Sequence, residues 1–486
     1  MLFCFLLFAC APDTEPASVP GDAPAPTESA TPTADDTATT PPAPTGSTGS
    51  TAADTTEPPT GVTADTSPWT GAPTASPYIT LSGPPPTNVL VLSIDTTRAD
   101  RINSNGYTGS TTSPQIDALL AEGLALRAHR SCSAWTMASF LCFLTGTDQV
   151  SLGTWPDNNN HGAGVPPYEG DLPSLAVRLH DEGFATRLVY ANSFLSSKFN
   201  MNQGHDEETK GGKADGVLAH ALEALDDLAA EDRWLLHVHF NDPHTPYRPT
   251  EANQQPGTSC PIGDIEKDLK NLTRGWDDAT TGEQAQCLDH LNMLYDAEIR
   301  DVDDAIASIL AHVDALGERD ETMVVFVTDH GEEFYEHEEW EHGHGLFQGL
   351  NRSTAGLIYP PRIAPAEHHG LTTHEDMLPT LLTALDLPLT GLETGRPVGA
   401  AGDEVVHGLV YRNELTVQSV TTPTHVLIHH WEGRTYLYDI VADPEQTTNL
   451  YTPDDPTAVA LWKLLRPRVD DLASKVTDGS VPVGLP

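Results

Sequence analysis

Basic residues are scarce in this chain of 486 amino acids. Its 25 Lys and Arg stand against 70 Asp and Glu, a formal net charge of −45. No Lys or Arg occurs before Arg98. A surface so poor in cations cannot neutralise a phosphate backbone, which argues against a nucleic-acid partner and for a soluble, self-repelling surface. Cysteine is also sparse. The six cysteines include no C-x-x-C pair, so no cysteine-rich metal motif is present. The apolar run that opens the chain, "MLFCFLLFAC", is too short to span a bilayer. No internal repeat is found, which argues against a solenoid.

What the N-terminus does carry reads as an export signal. Leu7-Phe8-Ala9-Cys10 is similar to a bacterial lipobox, with Cys10 as the lipidated residue. A plain secretory signal is the alternative, and both export the chain. The expected location is the bacterial cell envelope, lipid-anchored at Cys10 or secreted. Residues 11–80 are mostly Thr, Pro, Ala, Ser, Gly and Asp. Such a segment cannot bury enough apolar surface to offset its ordering entropy, and it reads as a disordered tether. Four cysteines remain beyond the signal, and three pairings of them are possible. Cys260 with Cys287 would close a polar excursion. Cys132 with Cys142 would brace the segment around Thr136, with buried free thiols as the alternative there.

Beyond the tether, apolar runs alternate with amphipathic ones. "NVLVLSID" ends in Asp95, "WLLHVHF" runs into "NDPHTPY", and "MVVFVTD" ends in Asp329. Each reads as a strand buried on both faces. Between them lie helical patterns: "SPQIDALLAEG", "VLAHALEALDDLAA" and a long one over 286–316. The alternation predicts an α/β fold, a mostly parallel sheet with helices on both faces. After about residue 388 the texture changes to the short alternating strands "EVVHGLVYR", "THVLIHHWE" and "RTYLYDI", closed by a helix at "AVALWKLLRPRVDDLAS". The expected division is a catalytic domain over 85–390 and a C-terminal subdomain over 391–486, a small antiparallel sheet with a helix.

Ligands of open α/β sheets lie beyond the carboxyl ends of the strands. Three strands here end in chemically capable residues, which a parallel sheet brings to one edge: Asp95 with Arg98, Asp242 with His244, and Asp329 with His330 and His344. Asp95, Asp329 and His330 offer two carboxylates and an imidazole. With the Thr136 oxygen they make a four-ligand set for one divalent metal, Zn or Mn favoured, Ca or Mg possible. Thr136 opens "TMASFLCFLTG", so it reads either as a helix cap or as a nucleophile whose alkoxide a dication and a helix N-terminus would favour. His337 and His342 read as solvated.

In this order the segments resemble the sulfatase family of the alkaline phosphatase superfamily. The resemblance runs from "NVLVLSIDTTRAD" through "HFNDPHTPY", "YDAEIRDVDDAI" and "FVTDHGEEFYEHEEWEHGHG" to "HEDMLPTLLTALDLP" and "LYDIVADPEQTTNLY". It implies an alkaline phosphatase-like fold and a metal-dependent hydrolase of a sulfuric or phosphoric ester. "TMASFLCFLTG" is similar to the family's C/S-x-P-S-R-x-x-x-L-T-G stretch. Thr136 stands where the Cys or Ser that becomes formylglycine would be, Ala138 replaces the Pro, and Phe140 replaces the Arg. A Thr in that place resembles the superfamily's phosphodiesterases and its phosphoglycerol and phosphoethanolamine transferases. The resemblance therefore implies a phosphate ester, a diester above all, with Thr136 as nucleophile and metal ligand. His244 and His344 would contact substrate oxygens or the leaving group, and either could supply general acid help. Arg98 either holds substrate charge or pairs with an Asp. The expected substrate is a small-molecule, glycan or lipid-headgroup ester. The alternatives are a transferase of the same type and a surface binding protein on a degenerate sulfatase fold.

Overall fold

Strand β1 (Asn88–Ile94) is buried at every position, as its uninterrupted apolar pattern predicts. In this computed structural model it lies between β5 (Trp234–Phe240) and β6 (Thr322–Thr328), parallel to both. The structure describes residues 79–153, 168, 172–254, 259–400, 404–412 and 415–475. The export signal at 1–10, with Cys10, and all but the last two residues of the tether at 11–80 lie outside them.

The remaining strands of the main sheet are β2 (Leu124–Arg130), β3 (Ala185–Tyr190), β4 (Glu207–Lys210), β9 (Ala355–Ile358) and β10 (Ala366–Thr373). A two-stranded hairpin, β7 (Glu333–Phe334) and β8 (Trp340–Glu341), stands apart. The order in the main sheet is β10-β2-β9-β6-β1-β5-β3-β4. All neighbours are parallel except at β9, which runs antiparallel to both β2 and β6.

Side chains alternate between the two faces of the sheet. Val89 and Val91 of β1 join Leu235, Met323 and Val325 on one face, under α2 (Thr136–Thr145) and the helix Met377–Ala384. Leu90, Leu92 and Ile94 join Leu236, Val238 and Phe326 on the other, under α1 (Pro114–Ala121) and the helices Ala214–Leu228 and Thr281–Leu316. Helices on both faces are what the alternating pattern predicts. The long helix starts earlier than its periodicity suggests, because Thr280 and Glu283 form a capping box.

The C-terminal sheet has four antiparallel strands: β11 (Val406–Arg412), β12 (Leu415–Thr421), β13 (His425–His430) and β14 (Thr435–Asp439). β12, "LTVQSVT", was not among the three strands read from sequence. The helix Pro456–Lys475 covers one face through Leu461, Leu465, Val469 and Leu472. The other face packs Val410, Val417 and Ile428 against Ala134, Leu346 and Leu350. Of the three possible pairings the structure has Cys132–Cys142 and Cys260–Cys287, both as disulfides. Among the described residues no helix is long and apolar enough to cross a membrane.

Candidate active site

The register of β6-β1-β5 builds the site. Ile94 sits beside Thr328 on one side and Phe240 on the other. The pairing continues one residue past the strands, where Asp95 N–H donates to the Phe240 carbonyl and Asp329 N–H to the Ile94 carbonyl. Asp95 and Asp329 are thereby neighbours at one sheet edge, as the strand ends predict. Asp95, Asp329 and His330 are all buried, with ligand atoms within 4.8 Å of one another.

Their outer contacts aim them inward. Asp329 Oδ1 accepts N–H bonds from Thr96 (3.0 Å) and His330 (2.6 Å), leaving Oδ2 toward the site. His330 Nδ1 lies 2.9 Å from the Gly331 carbonyl, which can only accept, so that nitrogen carries the proton and Nε2 keeps its lone pair. Nε2 is 3.5 Å from Asp329 Oδ2 and 3.8 Å from Asp95 Oδ1. Asp95 Oδ1, Asp329 Oδ2, His330 Nε2 and the neighbouring Thr96 Oγ1 are buried with no hydrogen-bond partner. Orphaned buried polar atoms carry a desolvation cost that a bound ion removes. Thr96 itself has φ of +45°, an unusual backbone for a β-branched residue, held by Tyr295 Oη donating to its carbonyl.

Electrostatics agree with a cation here. Burial and the charge of Asp95 push Asp329 well above the ordinary carboxylate range. Burial would also raise Asp95, but the adjacent His239 and the fields of His244 and His330 hold it low. Burial takes His330 down to about 3, so it is the neutral imidazole a metal requires. Two carboxylates and a neutral imidazole fit one divalent ion.

Thr136 does not act as a helix cap. The N-cap of α2 is Trp135, in extended backbone, and Thr136 is the first helical residue. Its Oγ1 instead donates to Asp95 Oδ2 at 3.3 Å and lies 3.2 Å from Asn192 Nδ2, which also donates to Asp95 Oδ2 at 2.7 Å. The hydroxyl therefore stands at the metal-ligand cluster, on the N-terminus of a ten-residue helix. Asn192 was not singled out from sequence; it follows β3, and only the strand order brings it here.

His239 was also missed. The signal was a pair of histidines inside the apolar strand "WLLHVHF". His239 Nε2 is 3.6 Å from Asp95 Oδ2, and its Nδ1 is 3.0 Å from Ser93 Oγ. Ser93 Oγ is also 2.9 Å from His237 Nε2. Phe140 lies edge-on to His239 at 5.0 Å and tilted over His237 at 5.7 Å. Where the family motif has a guanidinium, this chain has an aromatic ring packed on two buried imidazoles.

His244 donates from Nδ1 to the Thr245 carbonyl at 2.7 Å. Burial opposes its charge, but the fields of Asp95, Glu332 and Glu341 together with the bond to the Thr245 carbonyl outweigh burial and raise it. Its ring lies 5.2 Å from that of His342, which lies 4.6 Å from that of His330. His342 is thus not solvated; its Nδ1 bonds Glu332 at 2.9 Å. His337 is not solvated either, because it bonds Glu333 and stacks on Phe347 at 3.7 Å. His344 Nε2 pairs with Glu333 at 2.7 Å, and among the described residues no hydrogen bond or ion pair joins it to Asp95, Asp329 or His330. Arg98 directs its guanidinium to Asp100, Glu336 and the Glu332 carbonyl, which is the pairing role of the two its sequence leaves open. Asp242 pairs with Lys213 through Oδ1 at 2.8 Å, and its buried Oδ2 has no hydrogen-bond partner.

Residues 87–387 match the family model described as Sulfatase. No curated protein matches the chain in sequence. Among solved structures, BT4656 in complex with its substrate D-glucosamine-2-N,6-O-disulfate aligns with a TM-score of 0.65 at 15% identity, over 82% of this chain and 99% of that one. The phosphonate monoester hydrolase SpPMH from Silicibacter pomeroyi aligns at 0.62 and 16% identity, over 81% and 96%. The phosphonate monoester hydrolase of Agrobacterium radiobacter aligns at 0.60 and 18% identity, over 80% and 96%.

Proposed function

The chain belongs to the sulfatase family of ester hydrolases, and from that premise we propose that it cleaves a phosphate ester, most readily a diester, through Thr136. One observation carries this reading: the Thr136 hydroxyl leaves its helix uncapped and bonds the Asp95 carboxylate instead. A divalent ion held by Asp95, Thr136, Asp329 and His330 would supply Lewis acidity and favour the alkoxide of Thr136. The hydroxyl proton has Asp95 Oδ2 at 3.3 Å as its acceptor. As Oγ1 bonds to phosphorus, the bond from phosphorus to the leaving oxygen breaks, and that oxygen takes a proton from His244. Water then attacks phosphorus and gives a proton to His244, the Oγ1–P bond breaks, and Oγ1 takes back the proton that Asp95 received, restoring Thr136. A Thr ester can be resolved only by this second attack, because Thr has no aldehyde hydrate through which to expel the group. That requirement supports phosphorus over sulfur.

The alignment with phosphonate monoester hydrolases supports phosphoryl chemistry. The disulfated glucosamine bound by BT4656 supports a glycan ester within the substrate range. Transfer to an acceptor alcohol in place of water would use the same first step. The orphaned inward-facing ligand atoms speak against a degenerate binding protein, which has no need to keep them. The "LFAC" segment supports a lipid-anchored or secreted envelope protein. Aryl phosphate monoesters, diesters, phosphonates and sulfates assayed side by side test the reading. A diester or phosphonate should turn over fastest, and a sulfate ester that outruns them all contradicts it.

A further inference from the structure

The family motif's guanidinium is missing at Phe140, yet a different one borders the same site. We propose that Arg412, at the end of β11 in the C-terminal sheet, is a substrate-binding residue that clamps an oxyanion of the substrate. Its Cζ lies 5.4 Å from the centroid of the Trp135 ring. Trp135 is the N-cap of α2 and immediately precedes Thr136. On another side the guanidinium rests on Gly343, where a Cβ would come within 2.4 Å of Nη1. Gly343 has φ of +81°, a backbone conformation that favours glycine, and the missing side chain leaves the room that Nη1 occupies. Gly343 follows His342, whose ring lies against that of the ligand His330. Arg412 is therefore seated between the two segments that carry the nucleophile and the metal-ligand cluster.

Among the described residues no hydrogen bond is made by its guanidinium. Nε is buried and has no acceptor. Among the described residues no carboxylate forms an ion pair with Arg412, in a chain with 70 acidic residues to 25 basic ones. Arg98, Arg101, Arg127, Arg300 and Arg468 all find acidic partners. The field of Glu341 reaches Arg412 without an ion pair, and burial opposes its charge. A guanidinium stacked on an indole, packed on a glycine and left with open donors is pre-organised for a bidentate oxyanion. The N-terminus of α2 adds its partial positive charge to the same side.

The identity of the clamped group rests on the reading of Thr136 as the reacting centre; oxyanion binding itself does not. Calorimetric titration of metal-replete enzyme with inorganic phosphate therefore tests the clamp without turnover. Arg412→Ala and Arg412→Met should each weaken phosphate about 10- to 100-fold. Arg412→Lys should fall between, because it keeps charge without the fork. Melting temperature and metal content, measured on each variant, separate a lost clamp from a lost fold, and the Met variant keeps the aliphatic stem over Trp135. Kinetics on 4-nitrophenyl phosphate and on an aryl phosphate bearing a carboxylate then locate the clamped group. A loss on both substrates places Arg412 on the reacting group. A loss confined to the carboxylated one places it on a second anionic group. Unchanged phosphate binding, together with unchanged KM on both substrates, in a folded Arg412→Ala variant overturns the proposal.

Discussion

Phe140 offers the sharpest test of how the site is assembled. It is 1% exposed and lies edge-on to Phe143 at 6.0 Å and to His239 at 5.0 Å. Phe140→Ala should cost about 3–5 kcal/mol of stability, the transfer free energy of the ring plus the cavity it leaves. The cavity would open under His239, whose other edge faces Asp95, so turnover should fall as well as stability. Phe140→Arg restores the family residue but should be worse still. Its charge would enter a pocket walled by an aromatic ring and two imidazoles. Burying an unmatched ion costs several kcal/mol. Urea unfolding of metal-loaded enzyme measures this as a drop in midpoint at constant m-value. Sulfate and phosphate ester assays on the same samples give the chemical readout. A Phe140→Arg variant as stable as the parent that also gains sulfate hydrolysis would refute the reasoning, because the pocket would then be a guanidinium seat.

Metal removal should destabilise the protein, because Asp95 and Asp329 lose the charge between them. At metal 1,000-fold above its Kd the stabilisation is about 4 kcal/mol, so chelation should lower Tm and Zn or Mn should restore it. Elemental analysis should find one tightly held metal per chain and none in Asp329→Ala; a metal-free parent under replete conditions contradicts the site. Burial lifts Glu375 from its ordinary 4.5 to about 8, with Asp148 adding to the shift. The folded state thus holds this proton more tightly than the unfolded one. The resulting stability is complete below about pH 4.5 and is lost as pH rises to about 8, a few kcal/mol in all. Glu375→Gln should flatten that slope in Tm measured from pH 5 to 8, and an unchanged slope contradicts it. A chain beginning at Ile79 should melt like the full chain. One beginning at Gly83 should melt lower, because Leu81 bridges Ile363 and Ile79 packs on the core. Equal melting of the two contradicts the docking of this strap.

The central sheet was legible because its strands are buried on both faces and end in acids. β1, β5 and β6 read directly, and with them the convergence of Asp95, Asp329 and His330. β9, "AGLI", was not legible, since four residues carry no periodicity and its reversed direction comes from the connection. His239, Asn192 and Arg412 were missed for a shared reason. Each reaches the site through strand order or through packing between sheets, which one-dimensional spacing does not encode. His239 hid as a polar residue in an apolar strand, and Arg412 hid in a sheet expected to be peripheral. His342 was misread because a Glu-rich loop resembles a solvated face until Glu332 is seen buried beneath it. Of the tether read at 11–80 only the last two residues are described, and one of them, Ile79, packs on the core, because it is an apolar side chain next to Leu81 rather than part of the Thr/Pro/Ala-rich run.

Mass analysis of the peptide carrying Thr136 tests the account most directly. Enzyme quenched early during turnover of a slow phosphodiester should carry a phosphoryl or substituted phosphoryl adduct on Thr136. The same peptide should show no aldehyde chemistry. Thr136→Ala should fold, lose nearly all turnover and form no adduct, and Thr136→Ser should regain part of both. A Thr136→Ala variant that retains full turnover would contradict the nucleophile and the preference for phosphoryl chemistry with it.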